Sequence, residues 1–381
     1  MCVRFKRIAG SIHVHTSFSG GKLKPKEAVS LAREKGVKVL AVTDYSDRKW
    51  EYRRIGISKP SVMKFGTGKY LEKIGLAARE NPDMIIMCGL EASPFYYWEG
   101  SFLTPVCRDY NKHILVLGLE EPDELENLPL LARKNSGYDQ YSGSHGIGPY
   151  QKLIDYVNLH EGLTFWAHPE MEDNFRYLNG RLYTPPYVED LRRSFGYTGF
   201  SVLPRGEGMA APGGCWDELL SDYCGGRREK PVWAIAETDY RKEEDDISNP
   251  ATVFVNEVRG KGDVLEALRM GEVYALNNPQ KDLFLNYFGI KDGKTNEFVP
   301  MGGMLPGVIG SVTVRVDIES KAPLRKVVLV RDGMIVEESD EKQFEFRDNL
   351  SSLREKVFYR LIVEDVQGSR LFSNPVFVNR E

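Results

Sequence analysis

The strongest indication of the fold is the stretch Gly10-Ser11-Ile12-His13-Val14-His15, which ends the first apolar segment of the chain. In a β-strand, residues i and i+2 point to the same side, so His13 and His15 present two imidazoles to one point. Imidazole nitrogen is a preferred ligand of borderline metal ions such as Zn²⁺. An isolated H-x-H pair is more often incidental than a metal site, so its meaning depends on the rest of the sequence.

Residue types that bind metals recur at the ends of later apolar runs. They are Asp44 after residues 39–43, Glu91 after 84–90, His113 before 114–117, His168 after 163–167 and Asp239 after 232–238. Ligand-type side chains at successive strand ends are typical of a metal site at one rim of a β/α barrel. We therefore expect these residues to meet in the folded chain.

Between about residues 5 and 280, helical patterns alternate with short apolar runs. Helices are predicted over residues 25–35, 70–80, 150–160, 187–194, 216–223 and 263–270. Strands are predicted over the apolar runs between them, including 199–203 and 252–255. This βαβα order predicts an α/β fold with a parallel sheet, and six or seven such units with ligands at one rim indicate a barrel.

The pattern changes after about residue 300. Residues 312–318 alternate strictly between apolar and polar, as a half-buried strand does. The runs 327–330 and 334–336 flank Arg331-Asp332-Gly333, which is a hairpin signal, and 358–364 and 371–378 form a further pair. We predict a small antiparallel β-sandwich, and hence two domains, at residues 1–300 and 301–381.

Composition and charge argue against several classes of protein. The chain has 381 residues, 41% hydrophobic and 28% charged, which is ordinary for a soluble globular protein. A net charge of −4 without a long basic block disfavours a nucleic-acid surface. No apolar stretch is long enough for a transmembrane helix and no signal peptide is visible, so we expect a cytoplasmic protein. Five cysteines without C-x-x-C argue against a disulfide framework and a structural zinc finger.

The set of motifs resembles the PHP (polymerase and histidinol phosphatase) metallohydrolases. The motifs are H-x-H, T-D, G-x-E, H-I-L-V-L-G, A-H-P and a late T-D, in that order. Further stretches are similar to the carbaryl-hydrolase-like branch of that superfamily, namely residues 10–16, 216–220, 231–236 and 267–275. The resemblance covers about residues 5–280 and implies a distorted (β/α)7 barrel, with the predicted β-sandwich appended to it.

The resemblance also implies a ligand set for two divalent metal ions, which would be Mn, Zn or Fe. One ion would be held by His13, His15, Glu91 and Asp239, and the second by Glu91, His113 and His168. Glu91 would bridge the two ions, about 3.5–4 Å apart, and a bridging hydroxide would attack the substrate. Asp44 is expected to orient a ligand histidine or the hydroxide.

A third metal is common in the family, but its ligands are replaced in this chain. Gly20, Tyr45 and Arg241 stand where the family has Asp, His and His. The resemblance therefore implies a binuclear site and puts plain phosphatase chemistry in doubt, because the third metal helps to bind phosphate. Arg241 would replace its charge, or else pair with a following carboxylate, Glu243, Glu244 or Asp245. Tyr45 would either pack or contact substrate.

Two loop features allow two interpretations each. His145, in the Gly/Ser-rich loop 142–149, is either an exposed histidine or a substrate-binding or general-acid residue. The basic insertion 46–67 is either a solvated loop or a region that attracts anions. Loops after strands carry specificity in barrel enzymes, so both features bear on the substrate.

The leading functional hypothesis is a binuclear metal-dependent hydrolase. Its substrate would be a small, anionic molecule with a phosphoester or a carboxyl-derived bond, that is, an amide, ester or carbamate. The alternative is a non-catalytic, metal-bearing binding or structural module. A nuclease is a third class, which the acidic net charge disfavours. The oligomeric state is left open.

Overall fold

The computed structural model describes residues 4–52, 55–131, 139–177, 179–351 and 354–380. The chain divides into two compact units that alternate along the sequence. The first unit holds residues up to Ser11, Val202–Glu237 and the chain from Ser248 onward, and the second holds Ile12–Ser201 and Thr238–Ile247. The domain boundary expected at residue 300 does not coincide with a boundary between these units, and it stays a prediction.

The predicted helices are present, with small shifts at their ends. The helices of the described residues are α1 (Pro25–Glu34), α2 (Val62–Phe65), α3 (Thr67–Glu80), α4 (Pro122–Glu126), α5 (Gly148–Leu159), α6 (Val188–Arg193), α7 (Cys215–Cys224) and α8 (Lys261–Met270). Proline suits the first turn of α1 because that N–H needs no helical partner, and Gly36 beyond its end adopts a φ of 82°. None of these helices is long and apolar enough to cross a membrane.

Strands outnumber the helices and extend into segments where none was predicted. The strands before residue 204 are β1 (Ile8–Val14), β2 (Val39–Tyr45), β3 (Lys49–Tyr52), β4 (Ile55–Ser58), β5 (Ile85–Ala92), β6 (Tyr97–Ser101), β7 (Thr104–Arg108), β8 (Ile114–Leu117), β9 (Leu163–Trp166), β10 (Asp173–Tyr177), β11 (Gly180–Thr184) and β12 (Gly199–Leu203). The later strands are β13 (Trp233–Ala236), β14 (Ala251–Phe254), β15 (Val273–Asn277), β16 (Leu283–Asp292), β17 (Phe298–Pro300), β18 (Met304–Val308), β19 (Ser311–Ser320), β20 (Leu324–Arg331), β21 (Met334–Ser339), β22 (Gln343–Asn349), β23 (Lys356–Asp365), β24 (Arg370–Ser373) and β25 (Val376–Arg380).

The sheet of the second unit has the order β12-β9-β8-β5-β2-β1. β2 is parallel to β5 and β9 is parallel to β12, as predicted. The prediction of a parallel sheet is wrong at β8, which is antiparallel to both β5 and β9. The segment between β5 and β8 forms the β6–β7 hairpin instead of a crossover helix, so the chain re-enters the sheet in the opposite direction.

The segments that follow β5 and β9 form a separate four-stranded sheet, in the order β10-β11-β7-β6. Its small apolar core contains Tyr96, Trp98, Cys107 and Tyr110. Tyr96 and Trp98 therefore pack in this insertion.

The first unit contains two sheets that share an apolar core. One includes β14-β15-β24-β23-β20-β21, and the other has the order β17-β16-β19-β22. The alternation predicted for residues 312–318 is confirmed in β19, where every second residue is buried. The second sheet begins with β16, well before residue 300, so the C-terminal strands pack with segments that the sequence placed in the barrel.

A buried ion pair joins α7 to β23 within the first unit. Arg360 donates from Nε to Asp217 Oδ1 at 2.6 Å and from Nη2 to Oδ2 at 2.7 Å, and its guanidinium lies over the Trp216 ring. Both charged side chains are almost fully buried. This bidentate pair is specific in geometry, and loss of either partner would leave a buried charge without compensation.

Candidate metal centre

The two histidines of the H-x-H motif converge as the sequence predicts, although the backbone is not a regular strand. His13 Nε2 lies 3.1 Å from His15 Nε2. His13 has a φ of 74°, and two more predicted ligands, His168 and Asp239, also have positive φ, at 31° and 44°. Such conformations are uncommon for residues other than glycine and cluster at functional sites.

Glu91, at the end of β5, lies between two groups of imidazoles. Its Oε2 is 3.2 Å from His13 Nε2 and 3.0 Å from His15 Nε2. Its Oε1 is 2.6 Å from His113 Nδ1 and 3.9 Å from His168 Nε2. Each carboxylate oxygen thus faces a different pair of ring nitrogens, which is the arrangement a bridging carboxylate requires.

Asp239 completes the group around His13 and His15. Its Oδ1 lies 3.7 Å from His13 Nε2 and 3.5 Å from His15 Nε2. Its side chain is 27% exposed, whereas His13, His15 and Glu91 are fully buried, so the cluster opens to solvent on the Asp239 side. The structure therefore brings together all six predicted metal ligands.

The donor set fits divalent metal ions. Two ligand atoms about 2.1 Å from one ion are about 3.0–3.4 Å apart for angles between square and tetrahedral, close to most separations in this cluster. Neither oxygen of Glu91 accepts a hydrogen bond of ordinary geometry from the described residues. Buried lone pairs that converge without donors are costly unless a cation lies among them. Ligand atoms of His13, His15 and Asp239 lie within 4.8 Å of one another, as do those of His13, Glu91 and His168.

The electrostatics favour the protonation states that metal binding needs. Burial opposes the charge of Glu91 and Asp239, but the rings of His113 and His13 beside Glu91, and of His13 and His15 beside Asp239, hold the pKa of both carboxyls below the usual range. Burial lowers the pKa of His113. Ionised carboxylates and neutral imidazoles are the forms that bind metals.

Asp44 lies behind the ligands and is held by its own donors. Its Oδ1 accepts hydrogen bonds from the Thr16 amide at 2.8 Å and from the Ser19 hydroxyl, and its Oδ2 accepts one from Thr16 Oγ1 at 2.6 Å. Burial raises the pKa of Asp44, while the charge of His15 and these donors oppose that rise. Ser19 and Thr16 were not singled out in the sequence, where only their nearness to the H-x-H motif could have indicated them.

Gly20, Tyr45 and Arg241, which stand at the positions expected for third-metal ligands, lie together. Arg241 donates from Nη1 to the Tyr45 hydroxyl at 2.7 Å, and its Nη2 lies 2.7 Å from Asp239 Oδ1. A Cβ atom at Gly20 would lie 3.1 Å from Arg241 Nη1, so a larger residue there would crowd the guanidinium. The guanidinium therefore points into the cluster, and Asp245 accepts a hydrogen bond from the backbone N–H of Arg241.

Tyr45 is buried between rings and cations. Its ring centroid lies 4.6 Å from that of His15 and 5.4 Å from that of His113, and the Arg48 guanidinium lies 4.4 Å from its centroid. Burial raises the pKa of Tyr45, so its hydroxyl stays protonated. Arg48 belongs to the basic insertion 46–67. Its guanidinium lies on the Tyr45 ring, which in turn contacts the rings of His15 and His113.

His145 is not part of the buried cluster. Its ring packs edge-on against Phe95 at a centroid distance of 5.1 Å, and its Nε2 lies 3.2 Å from both Ser142 Oγ and the Asp139 carbonyl. These contacts are with its own loop and with the segment after β5. A substrate role for His145 stays a proposal.

The geometry just described agrees with a family match. Residues 11–181 match the PHP domain. This range contains His13, His15, Glu91, His113 and His168, whereas Asp239 and Arg241 lie beyond it. No curated protein matches the chain.

Several solved structures are similar to the chain at low sequence identity. A two-domain protein from Bacteroides vulgatus, containing a predicted PHP-like metal-dependent phosphoesterase, is 13% identical with a TM-score of 0.45, over 95% of this chain and 91% of that one. A Chromobacterium violaceum amidohydrolase with bound sulfate and no metal is 16% identical, with a TM-score of 0.35 over 68% and 96%. A lesion-specific endonuclease from Pyrococcus furiosus is 9% identical, with a TM-score of 0.37 over 77% and 64%. With identities this low, chemistry has to be argued from the site itself.

Proposed function

We propose that the protein is a metal-dependent hydrolase with a binuclear centre. His13, His15, Glu91 and Asp239 would hold one divalent ion, and Glu91, His113 and His168 the other. The observation that carries this proposal is the position of Glu91, whose two oxygens face two separate pairs of imidazole nitrogens. A single ion would need only one such group.

The chain's own residues would divide the work of hydrolysis. When bound, the two ions supply Lewis acidity toward the attacked oxygen and lower the pKa of water. The buried imidazoles and Glu91 keep bulk water from the ligand atoms, and the partly exposed Asp239 side admits the substrate. Arg241 donates to the oxyanion of the substrate from beside Asp239, and Tyr45 holds its guanidinium in place.

The cations near the cluster support an anionic substrate. Arg241 and Arg48 lie on the Tyr45 ring at 5.1 Å and 4.4 Å from its centroid. Both a phosphoester and a carboxyl-derived bond in a molecule with an anionic group satisfy this requirement.

The finer structural assignments belong to the same proposal. We propose that the strands of the PHP-like region form a distorted (β/α)7 barrel of the carbaryl-hydrolase-like branch, followed by a C-terminal β-sandwich. At the β13 end of the large sheet, side chains bond the backbone: Asn374 bonds the N–H and the C=O of Ala234, and Thr252 of β14 bonds those of Ala236.

The proposed function is tested with chromogenic substrates. Metal-free protein is reconstituted with Mn²⁺ or Zn²⁺ and assayed on a phosphate monoester, a phosphate diester and a carboxylester of the same phenol. We expect metal-dependent turnover of at least one ester, lost in Glu91→Gln. Metal binding without turnover of any ester or amide would instead support the non-catalytic module.

A further inference from the structure

Ser19 lies between a metal-ligand histidine and a buried carboxylate. Its Oγ is 3.1 Å from His15 Nδ1, accepts a hydrogen bond from the Tyr45 amide at 3.1 Å, and donates to Asp44 Oδ1. His15 and Asp44 are fully buried, and Ser19 is nearly so. Water therefore cannot easily replace the hydroxyl.

Counting donors fixes the direction of each hydrogen bond. A serine hydroxyl has one hydrogen to donate and two lone pairs to accept with. Asp44, which accepts two further hydrogen bonds from Thr16, can only accept as a carboxylate, so the Ser19 hydrogen points to Asp44. The Tyr45 amide takes one lone pair of Ser19, and the other faces His15 Nδ1. This contact is favourable only if Nδ1 carries the ring hydrogen.

A hydrogen on Nδ1 leaves Nε2 of His15 with a free lone pair. That atom is the one that faces Glu91 Oε2 at 3.0 Å and His13 Nε2 at 3.1 Å. The other tautomer would place an N–H in the metal position and would set two lone pairs, on Nδ1 and Ser19 Oγ, against each other. The hydroxyl thus selects the tautomer that binds metal.

We propose that Ser19 is a positioning residue that connects Asp44 to His15 and holds His15 in the metal-binding tautomer. The proposal rests on the proposed function, because it concerns the same metal centre. It also gives Asp44 a defined role, since the charge of Asp44 acts on His15 through the Ser19 hydroxyl. Neither the ligand pattern nor the PHP match assigns a role to Ser19.

The test compares hydroxyl deletions in one loop. Ser19→Ala removes the contact with both Asp44 and His15, whereas Thr16→Val removes a hydroxyl contact to Asp44 but none to the His15 ring. Ser17→Ala, at an exposed position of the same loop, is the control for the substitution itself. Zinc affinity is measured by competition with a chromogenic chelator. We expect Ser19→Ala to weaken the affinity of one of the two zinc ions by about 10- to 100-fold, Thr16→Val to weaken it clearly less, and Ser17→Ala to leave it unchanged.

A second measurement observes the His15 ring directly. Two-bond ¹H–¹⁵N spectra of the zinc-loaded protein, with ¹⁵N-labelled histidine, show which ring nitrogen binds zinc and which carries the hydrogen. We expect zinc on Nε2 of His15 and a hydrogen on Nδ1 that exchanges slowly with solvent in the wild type and faster in Ser19→Ala. Zinc on Nδ1 of His15, or equal losses of zinc affinity in Ser19→Ala and Thr16→Val, would overturn the proposal. Absence of zinc binding in the wild type would refute the proposed function itself.

Discussion

Glu91 and Asp44 are both buried carboxylates, yet the groups that surround them indicate different roles. Glu91 faces imidazole nitrogens through both oxygens, and Asp44 is surrounded by an amide and two hydroxyls. A carboxylate that contacts both metal positions contributes charge to each, whereas one that holds the supporting loop does not. Burial alone would not distinguish the two.

We therefore expect Glu91→Gln to reduce the content of both metals, because the bridging charge is lost. Asp44→Asn should keep most of the metal and mainly lower the rate. The measurement is elemental analysis of both variants after identical reconstitution and gel filtration. If Asp44→Asn loses its metal while Glu91→Gln keeps both ions, the roles are assigned to the wrong residues.

Arg241 is predicted to act on the substrate and not on the metals. A desolvated, charge-assisted contact contributes about 1.5–3 kcal/mol, so Arg241→Ala should lower kcat/KM for an anionic substrate by about 10- to 100-fold. Arg241→Lys should restore part of this, since lysine supplies charge without the planar fork. Metal content should stay at the wild-type value, and Lys242→Ala, a change at the adjacent exposed residue, serves as the control. Wild-type kinetics in Arg241→Ala would contradict the assignment.

The meeting of the four histidines with Glu91 and Asp239 could be predicted because these residues stand at or near strand ends. The contact between Arg241 and Tyr45 could not, because the two residues are 196 positions apart and nothing in their local pattern joins them. Likewise, the period-2 pattern of a regular strand does not predict the positive φ of His13. Sequence spacing thus indicates which of these side chains come together but not which contacts hold each of them.

At the scale of elements, β5 has little room at Gly89. It pairs with β2 on one side and β8 on the other, and a Cβ atom at Gly89 would lie 2.6 Å from Leu117 Cδ2 and the Val116 carbonyl. These neighbours are the backbone and core of the sheet that carries Glu91. Glycine is therefore needed here for the close approach of strands.

Gly89→Ala is expected to lower the free energy of unfolding by about 1–3 kcal/mol, as overpacking of a core does. Gly68→Ala in α3, where no atom lies within 4 Å of the added Cβ, should leave it unchanged or raise it by up to about 1 kcal/mol. Urea unfolding of the two variants in parallel measures both values. Equal stabilities would show that the sheet can relax around the added methyl.

Helices and buried strands were predictable because their periods and end residues are local signals. The reversed direction of β8 and the sheet β10-β11-β7-β6 were not. The direction of a strand depends on whether the connection that precedes it crosses the sheet. The connection after β5 contains the β6–β7 hairpin, and β8 is antiparallel to β5. The insertion strands are short and mostly polar, so their pattern did not stand out from that of a loop.

At the scale of the whole molecule, the proposed metal ligands and the C-terminal strands belong to different compact units. All six proposed ligands lie within Ile12–Ser201 and Thr238–Ile247, whereas β16 to β25 share a core with β14 and β15. Such interleaving depends on contacts between distant segments, which a change in sequence pattern does not reveal.

Arg360→Ala should lower the stability of the protein without changing its metal content. It leaves Asp217 buried without its partner, and we expect a loss of about 3–5 kcal/mol in stability. Arg370→Ala, which removes a half-exposed cation near Glu364 in the same sheet, should cost less than about 1 kcal/mol. Below its unfolding transition, Arg360→Ala should still bind the wild-type amount of metal. Loss of metal from a folded Arg360→Ala protein would show that the first unit contributes to the site.

The central claim of a binuclear centre is tested most directly by counting metal ions. The protein is stripped with a chelator, reconstituted with excess Zn²⁺ or Mn²⁺, freed of unbound ions by gel filtration and analysed by inductively coupled plasma mass spectrometry. The ligand groups on the two sides of Glu91, and the replacement of the third set by Gly20, Tyr45 and Arg241, predict two ions per chain. One ion, none, or a firm three would contradict the account.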